Sequence, residues 1–128
     1  MPNSVWVNNY LGVIMNTFEL RLNPVPFQQI KQGKKTVEMR LFDEKRKLFN
    51  VGDMLIFKNR ENENLTIKTQ ILALHKFASF EELYNNISKL KLGYQENEPA
   101  SASDMEEYYS KDEQSKYGVV GIEIKVIN

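Results

Sequence analysis

The chain has no cysteine and a single histidine, His75. Disulfides, thiolate nucleophiles and thiolate metal sites are thereby excluded, and so is a zinc site built on histidines. Neither a metal nor a cofactor is expected. Doing without disulfides fits the cytoplasm, where thiols stay reduced, and that location is the expectation. Long apolar runs are also missing. None reaches the roughly 18 residues that a membrane span needs, so no membrane partner is expected. The N-terminus carries no basic region ahead of its apolar residues, as a secretory signal would. Charge of one sign is not in excess either: 17 Lys and Arg balance 17 Asp and Glu. The whole chain thus has no field that gathers nucleic acid, which weighs against a strong non-specific binder. Internal repeats and low-complexity tracts are absent.

What is present is ordinary for one globular domain: 128 residues, 41% hydrophobic and 27% charged, enough to bury a core. The charge is unevenly placed. From Lys31 to Lys47 seven cations face three carboxylates, a local excess of four. At its centre lies Gly33-Lys34-Lys35-Thr36-Val37-Glu38-Met39-Arg40. Gly33 follows an amphipathic run, where a helix needs a left-handed end, so its role is expected to be structural. From Thr36 on, the residues alternate. Val37, Met39 and Leu41 share one strand face; Thr36, Glu38 and Arg40 share the other. With the apolar face packed inward, a carboxylate and a guanidinium project together, roughly 7 Å apart along the strand. This pair is expected to line a cleft rather than the core.

Along the chain, Phe18, Leu20 and Leu22 alternate with Glu19 and Arg21 and predict a first strand. Asn23 to Pro26 breaks it, and Pro26 opens a short helix from Phe27 to about Lys31. After the charged strand, Asp43 to Lys47 is a loop or helical turn. Val51-Gly52-Asp53 turns into a strand from Met54 to Lys58. Asn59 to Asn64 is a hairpin loop, and Leu65 to Lys76 a long strand. His75 is expected to be a hydrogen-bonded residue near its end. Ser79-Phe80-Glu81-Glu82 is a capping box, with Leu83, Ile87 and Leu90 at helical spacing up to Gly93. Ser103 to Glu106 is read as a second box, opening a helix through about Ser110. Lys111 to Lys116 leads to a last strand in which Val120, Ile122, Ile124 and Val126 form one face. Five strands with three or four short helices, and no repeated βαβ unit, close best as a small twisted barrel.

The string Gly33-x-Lys35-x-x-Glu38-x-Arg40 resembles the activating-signal-cointegrator homology (ASCH) domain of the PUA-like superfamily. The likeness extends to the strand, proline turn and helix from Leu20 to Ile30, to Val51 through Phe57, and to the closing Tyr117 to Ile124. It implies an α+β fold, a PUA-like small mixed β-barrel over residues 17–128, with residues 1–16 as an N-terminal extension. Met15 is a possible second start. Trp6, Tyr10, Leu11, Val13 and Ile14 make the extension too apolar for a solvated tail, and a homodimer through it is one expectation.

The resemblance also implies a charged cleft that binds RNA or a modified nucleoside or nucleotide. Lys34, Lys35, Arg40 and Arg21 are then the cations for phosphate or base edges. Glu38 would accept from an exocyclic amine. Tyr109 and Tyr117, together with Tyr108, are the stacking candidates. A second reading is enzymatic. A bacterial branch of the superfamily hydrolyses the amide of acetylated cytidine, and this chain is similar to it at Lys35 and Arg40. It departs at Glu38, where that branch has threonine. Its further catalytic glutamate falls near Glu106 or Glu107, so Lys35, Glu38, Glu106 and Glu107 are the catalytic candidates, with Lys35 and Glu38 as an acid–base pair. A third reading is a protein-interaction module.

Overall fold

The structure is a computed structural model and describes residues 3–5 and 15–127. Among the described residues six strands form a single mixed sheet: β1 (Asn3–Val5), β2 (Met15–Leu22), β3 (Val37–Leu41), β4 (Met54–Asn59), β5 (Thr66–Phe77) and β6 (Val119–Val126), in the spatial order β1-β2-β4-β5-β6-β3. β2 and β4 run parallel and the other neighbours antiparallel. Three α-helices, α1 (Pro24–Lys31), α2 (Phe80–Asn86) and α3 (Lys111–Tyr117), are joined by 3-10 turns at Arg46–Leu48 and Ala102–Glu107. The fold is the α+β arrangement expected, a five-strand curled half-barrel to which Asn3–Val5 adds a short edge strand against Met15–Thr17. Trp6, Tyr10, Leu11, Val13 and Ile14 lie outside the described residues, and with them the expectation of dimerisation through the extension.

The sheet packs on both faces, which separates the core in two. Phe18, Leu20 and Leu22 of β2, Leu55 and Phe57 of β4, Ile67 and Ile71 of β5 and Val120, Ile122 and Ile124 of β6 fill the inside of the curl with Phe27 and Ile30 of α1. Val37, Met39 and Leu41 of β3 and Val119 of β6 pack instead under Phe80, Leu83, Leu92 and Met105. Gly121 lets this outer layer sit close: a Cβ there would meet Ile87 Cδ1 at 3.0 Å. The 2-residue period of a strand thus divides β3 between the two cores.

Most expected elements form, with shifted limits. α2 starts at the expected cap, where Ser79 accepts from the Glu82 N–H at 3.2 Å, but the expected box is not closed, because the Glu82 carboxylate accepts from the Ala78 N–H at 3.1 Å and not from Ser79. It stops at Asn86, because Ile87 is extended (φ −118°, ψ 131°); Leu90 is then left 47% exposed rather than on a buried helix face. The second capping box is at Ser101 and Asp104, two residues before the expected pair, and opens a 3-10 turn. α3 was not expected, although Ser110 and Glu113 form a capping box at its start.

α1 ends in a Schellman motif. The Gly33 N–H donates to Ile30 O at 3.0 Å and the Lys34 N–H to Gln29 O at 2.9 Å, with Gly33 at φ 75°. This is the left-handed end that Gly33 was expected to supply. A Cβ at Gly33 would have nothing within 4 Å, so any cost of a side chain there is one of backbone conformation. Gly33→Val is expected to destabilise the protein by about 1–2 kcal/mol, read as a lower denaturant midpoint at unchanged slope. An unchanged midpoint would show that the helix can end in another geometry.

Candidate binding pocket

Two local devices bring the charged residues together. The Schellman turn also takes the Lys35 N–H onto Gln29 O at 3.1 Å, which places Lys35 at the entrance of β3. Glu38 and Arg40 are placed by register. They pair with Ile122 and Val120, and residues directly opposite in an antiparallel pair share a face. Glu38 and Arg40 therefore project into the curl beside the apolar core, not onto an outer solvated face. Glu38 is 5% exposed and Lys35 and Arg40 9% each. The cleft-or-core alternative is thus resolved as both: the pair is buried, and it borders a cavity.

Inside, Glu38 is fully engaged. Its Oε1 accepts from the Met39 N–H at 3.2 Å and from Lys35 Nζ at 3.0 Å. Its Oε2 accepts from Arg40 Nε at 3.1 Å and Nη2 at 2.9 Å. A carboxylate offers about four acceptor positions, and these are filled. Burial by itself would push the Glu38 carboxyl up, but the Lys35 and Arg40 cations outweigh it and hold the group at about 2, below its usual 4.5. Glu38 therefore stays ionised at neutral pH. Arg40 Nη2 also donates to Arg21 O at 2.8 Å. Arg21 belongs to β2 and Arg40 to β3, near opposite ends of the strand order, so this guanidinium staples the curl across its open seam.

The cavity beside this cluster holds about 160 Å³. Among its walls are Lys35, Glu38 and Arg40, with Arg21 and Arg60 at one side and Tyr108 and Tyr109 at another. Of the residues selected from the sequence, Arg21, Lys35, Glu38, Arg40 and Tyr109 meet here. Arg21 is exposed and paired with Glu63. Tyr109 is stacked on Phe80 with ring centroids 5.7 Å apart. Tyr108 is 58% exposed. Lys34 lines a separate amide-rich groove with Gln28, Gln32 and Gln95. Tyr117 packs in the outer core with Lys116 over its ring. Glu106 borders a larger groove of about 940 Å³ on the other side of the helical layer, and Glu107 a concavity next to Lys35. His75 Nε2 lies 3.0 Å from Glu123 Oε1, and His75 is not part of the cavity lining.

Arg60 and Met105 belong to the lining and were not selected. Arg60 follows Asn59, which pairs with Leu22 in the parallel β2–β4 ladder, and its N–H donates to Leu22 O at 2.8 Å. No local signal in the hairpin loop marks it; only the ladder carries it to the pocket. Among the described residues no group of three or more His, Cys, Asp or Glu is placed to hold a metal ion, and no helix is long and apolar enough to cross a membrane.

The family model of the ASCH domain matches residues 20–128. The chain is similar to the crystal structure of the hypothetical protein PH0355, at 29% identity and a TM-score of 0.73, over 87% of this chain and 99% of that one. It is similar to the solution structure of protein PF0455 from Pyrococcus furiosus, at 28% identity and a TM-score of 0.63, over 88% and 98% of the two chains. A mutant of the ASCH protein of Zymomonas mobilis shares the fold, at 15% identity and a TM-score of 0.61, over 86% of this chain and 73% of that one. No curated protein matches the chain.

The Glu38 bridge has a pH signature. A carboxyl lowered on folding contributes stability that is complete above its unfolded value and is lost as pH falls towards its folded one, here from 4.5 towards about 2. Glu38→Gln leaves two buried cations facing a neutral amide. It is expected to lower stability at neutral pH by about 3–5 kcal/mol, with the gap to the natural protein narrowing as pH is brought down to about 3. A gap that is small at neutral pH, or constant with pH, would show that the bridge contributes little.

Proposed function

Because the chain belongs to the ASCH domain family, we propose that it binds a nucleoside or a nucleotide of single-stranded RNA, placing one base in the cavity beside Lys35 and Arg40. The observation that carries this reading is the state of Glu38. With its acceptor positions filled, it holds two cations in place and leaves part of each free. Arg40 Nη1 makes no hydrogen bond among the described residues, and the lysine ammonium has three protons of which Glu38 takes one. Both groups line the cavity. Size supports the same reading. About 160 Å³ is below the roughly 300–1,000 Å³ of pockets that enclose a drug-sized molecule. It suits one planar ring system, with sugar and phosphate left outside near Arg60. Tyr108, half-exposed at the rim, is the stacking wall; Tyr109, fixed on Phe80, is the firmer side of the slot.

Glu38 is in this reading a positioning residue, not the acceptor for an exocyclic amine. The same state weighs against the amidohydrolase alternative. A general base works best with a pKa near the operating pH, and the two flanking cations move Glu38 the other way, to about 2. Glu106 lies on another groove, and its carboxylate is 3.7 Å from Lys111 Nζ.

Calorimetric or fluorescence titration with nucleosides and short single-stranded RNA tests the proposal. Lys35→Gln and Tyr108→Ala are each expected to weaken binding about tenfold. Tyr108→Ala should leave stability within about 0.5 kcal/mol, since the ring is exposed. Absence of binding to every nucleoside and RNA tried, or full affinity in both variants, would overturn it.

A further inference from the structure

The hydrogen-bonding character of the pocket floor is one-sided. Glu38 is the carboxylate in the cavity wall, and its oxygens are occupied by Lys35, Arg40 and the Met39 N–H. The backbone oxygens nearest the seam are engaged too: Arg21 O accepts from Arg40 Nη2 and Leu22 O from the Arg60 N–H. Lys35 and Arg40 line the cavity, and Arg40 Nη1 makes no hydrogen bond among the described residues. The side chain of Asn23 can accept, but it sits exposed at the mouth. The Tyr108 and Tyr109 hydroxyls line the side walls and can accept, but an amino group directed at Lys35 or Arg40 would meet a cation in place of an acceptor.

We propose, building on the nucleoside reading above, that this floor selects a base edge presenting two adjacent acceptors with no donor between them. Guanine does so with O6 and N7, the pair that Arg and Lys commonly meet. Cytosine does so with O2 and N3. Adenine sets its N6 amino group beside the acceptors of both its Watson–Crick and Hoogsteen edges, and uracil places N3–H between O2 and O4. Both are disfavoured for the same reason: on these edges neither offers two adjacent acceptors, so one of the two cations is set against a donor. The selectivity comes from the Glu38 bridge, which converts a carboxylate from a potential acceptor into the support of two donors.

The test is titration of the full chain with guanosine, inosine, cytidine, adenosine and uridine. Guanosine, inosine and cytidine are expected to bind about tenfold or more tightly than adenosine and uridine. 7-Deazaguanosine, which lacks N7, should fall by about tenfold against guanosine if the O6/N7 edge is read. Lys35→Gln introduces a carbonyl acceptor and should bring the guanosine-to-adenosine ratio towards one. Should that variant not fold, the nucleoside series on the natural protein decides alone. Equal affinity for all five nucleosides overturns the selectivity while leaving nucleoside binding intact. No binding of any of them overturns the selectivity, and when short single-stranded RNA fails to bind as well the reading it rests on falls with it. Displacement of guanosine by inorganic phosphate at a comparable concentration also overturns it, because the floor is then a site for anions rather than for a base edge.

Discussion

One carboxylate holds two cations at the seam of the sheet, and much else follows from that. An ionised Glu38 inside the curl would be prohibitively costly to desolvate alone. It is tolerated because Lys35 and Arg40 neutralise it and the Met39 N–H completes its coordination. The dependence runs the other way as well. Two buried cations on adjacent elements would repel without the carboxylate between them, and Arg40 would not be held where its Nη2 reaches Arg21 O. The half-barrel is closed by ladder hydrogen bonds everywhere except at this seam. There a side chain replaces the missing strand pairing, and beside it lies a cavity of about 160 Å³.

That cavity makes a structural element the wall of a candidate binding pocket. In a fully paired barrel the same position would be filled by ladder bonds and packed side chains. Here Lys35 and Arg40 line the cavity, with Arg21, Arg60, Tyr108 and Tyr109 from three further segments around them. Rigidity is part of the advantage. Lys35 is tied at its N–H to Gln29 O and at its ammonium to Glu38, and Arg40 is fixed by three donations. Long cationic side chains that are already ordered lose less entropy when a ligand arrives than free surface lysines do. The same rigidity and the same low pKa make the cluster a poor proton-transfer device.

The outer helical layer serves the pocket at one remove. Val37, Met39 and Leu41 seat β3 under Phe80, Leu83 and Met105, and the loop after α2 anchors the start of β3 by donation of the Thr36 and Val37 N–H groups to Lys91 O. Met39 and Met105 also reach the cavity wall, so the packing that steadies the strand shapes the pocket.

Local pattern in the chain was enough for several features. The alternation from Thr36 to Leu41, the helix end at Gly33, the five main strands and the Ser79 cap all depend on neighbours a few residues away, and such signals survive in one dimension. So did the grouping of Lys35, Glu38 and Arg40, because a turn and a strand put them together whatever the rest does. The rest was decided at long range. Which face of β3 looks into the curl follows from its register with β6, about eighty residues further on. The capture of Arg60 follows from the β2–β4 ladder, and the exile of Tyr117 and Glu106 from how the helical layer packs. Above all, whether Glu38 would be an acceptor, a base or a support could not be written in the string. An ionisable group takes its character from the charges and the solvent around it, and only the folded chain brings Lys35 and Arg40 onto its two oxygens and shuts the water out.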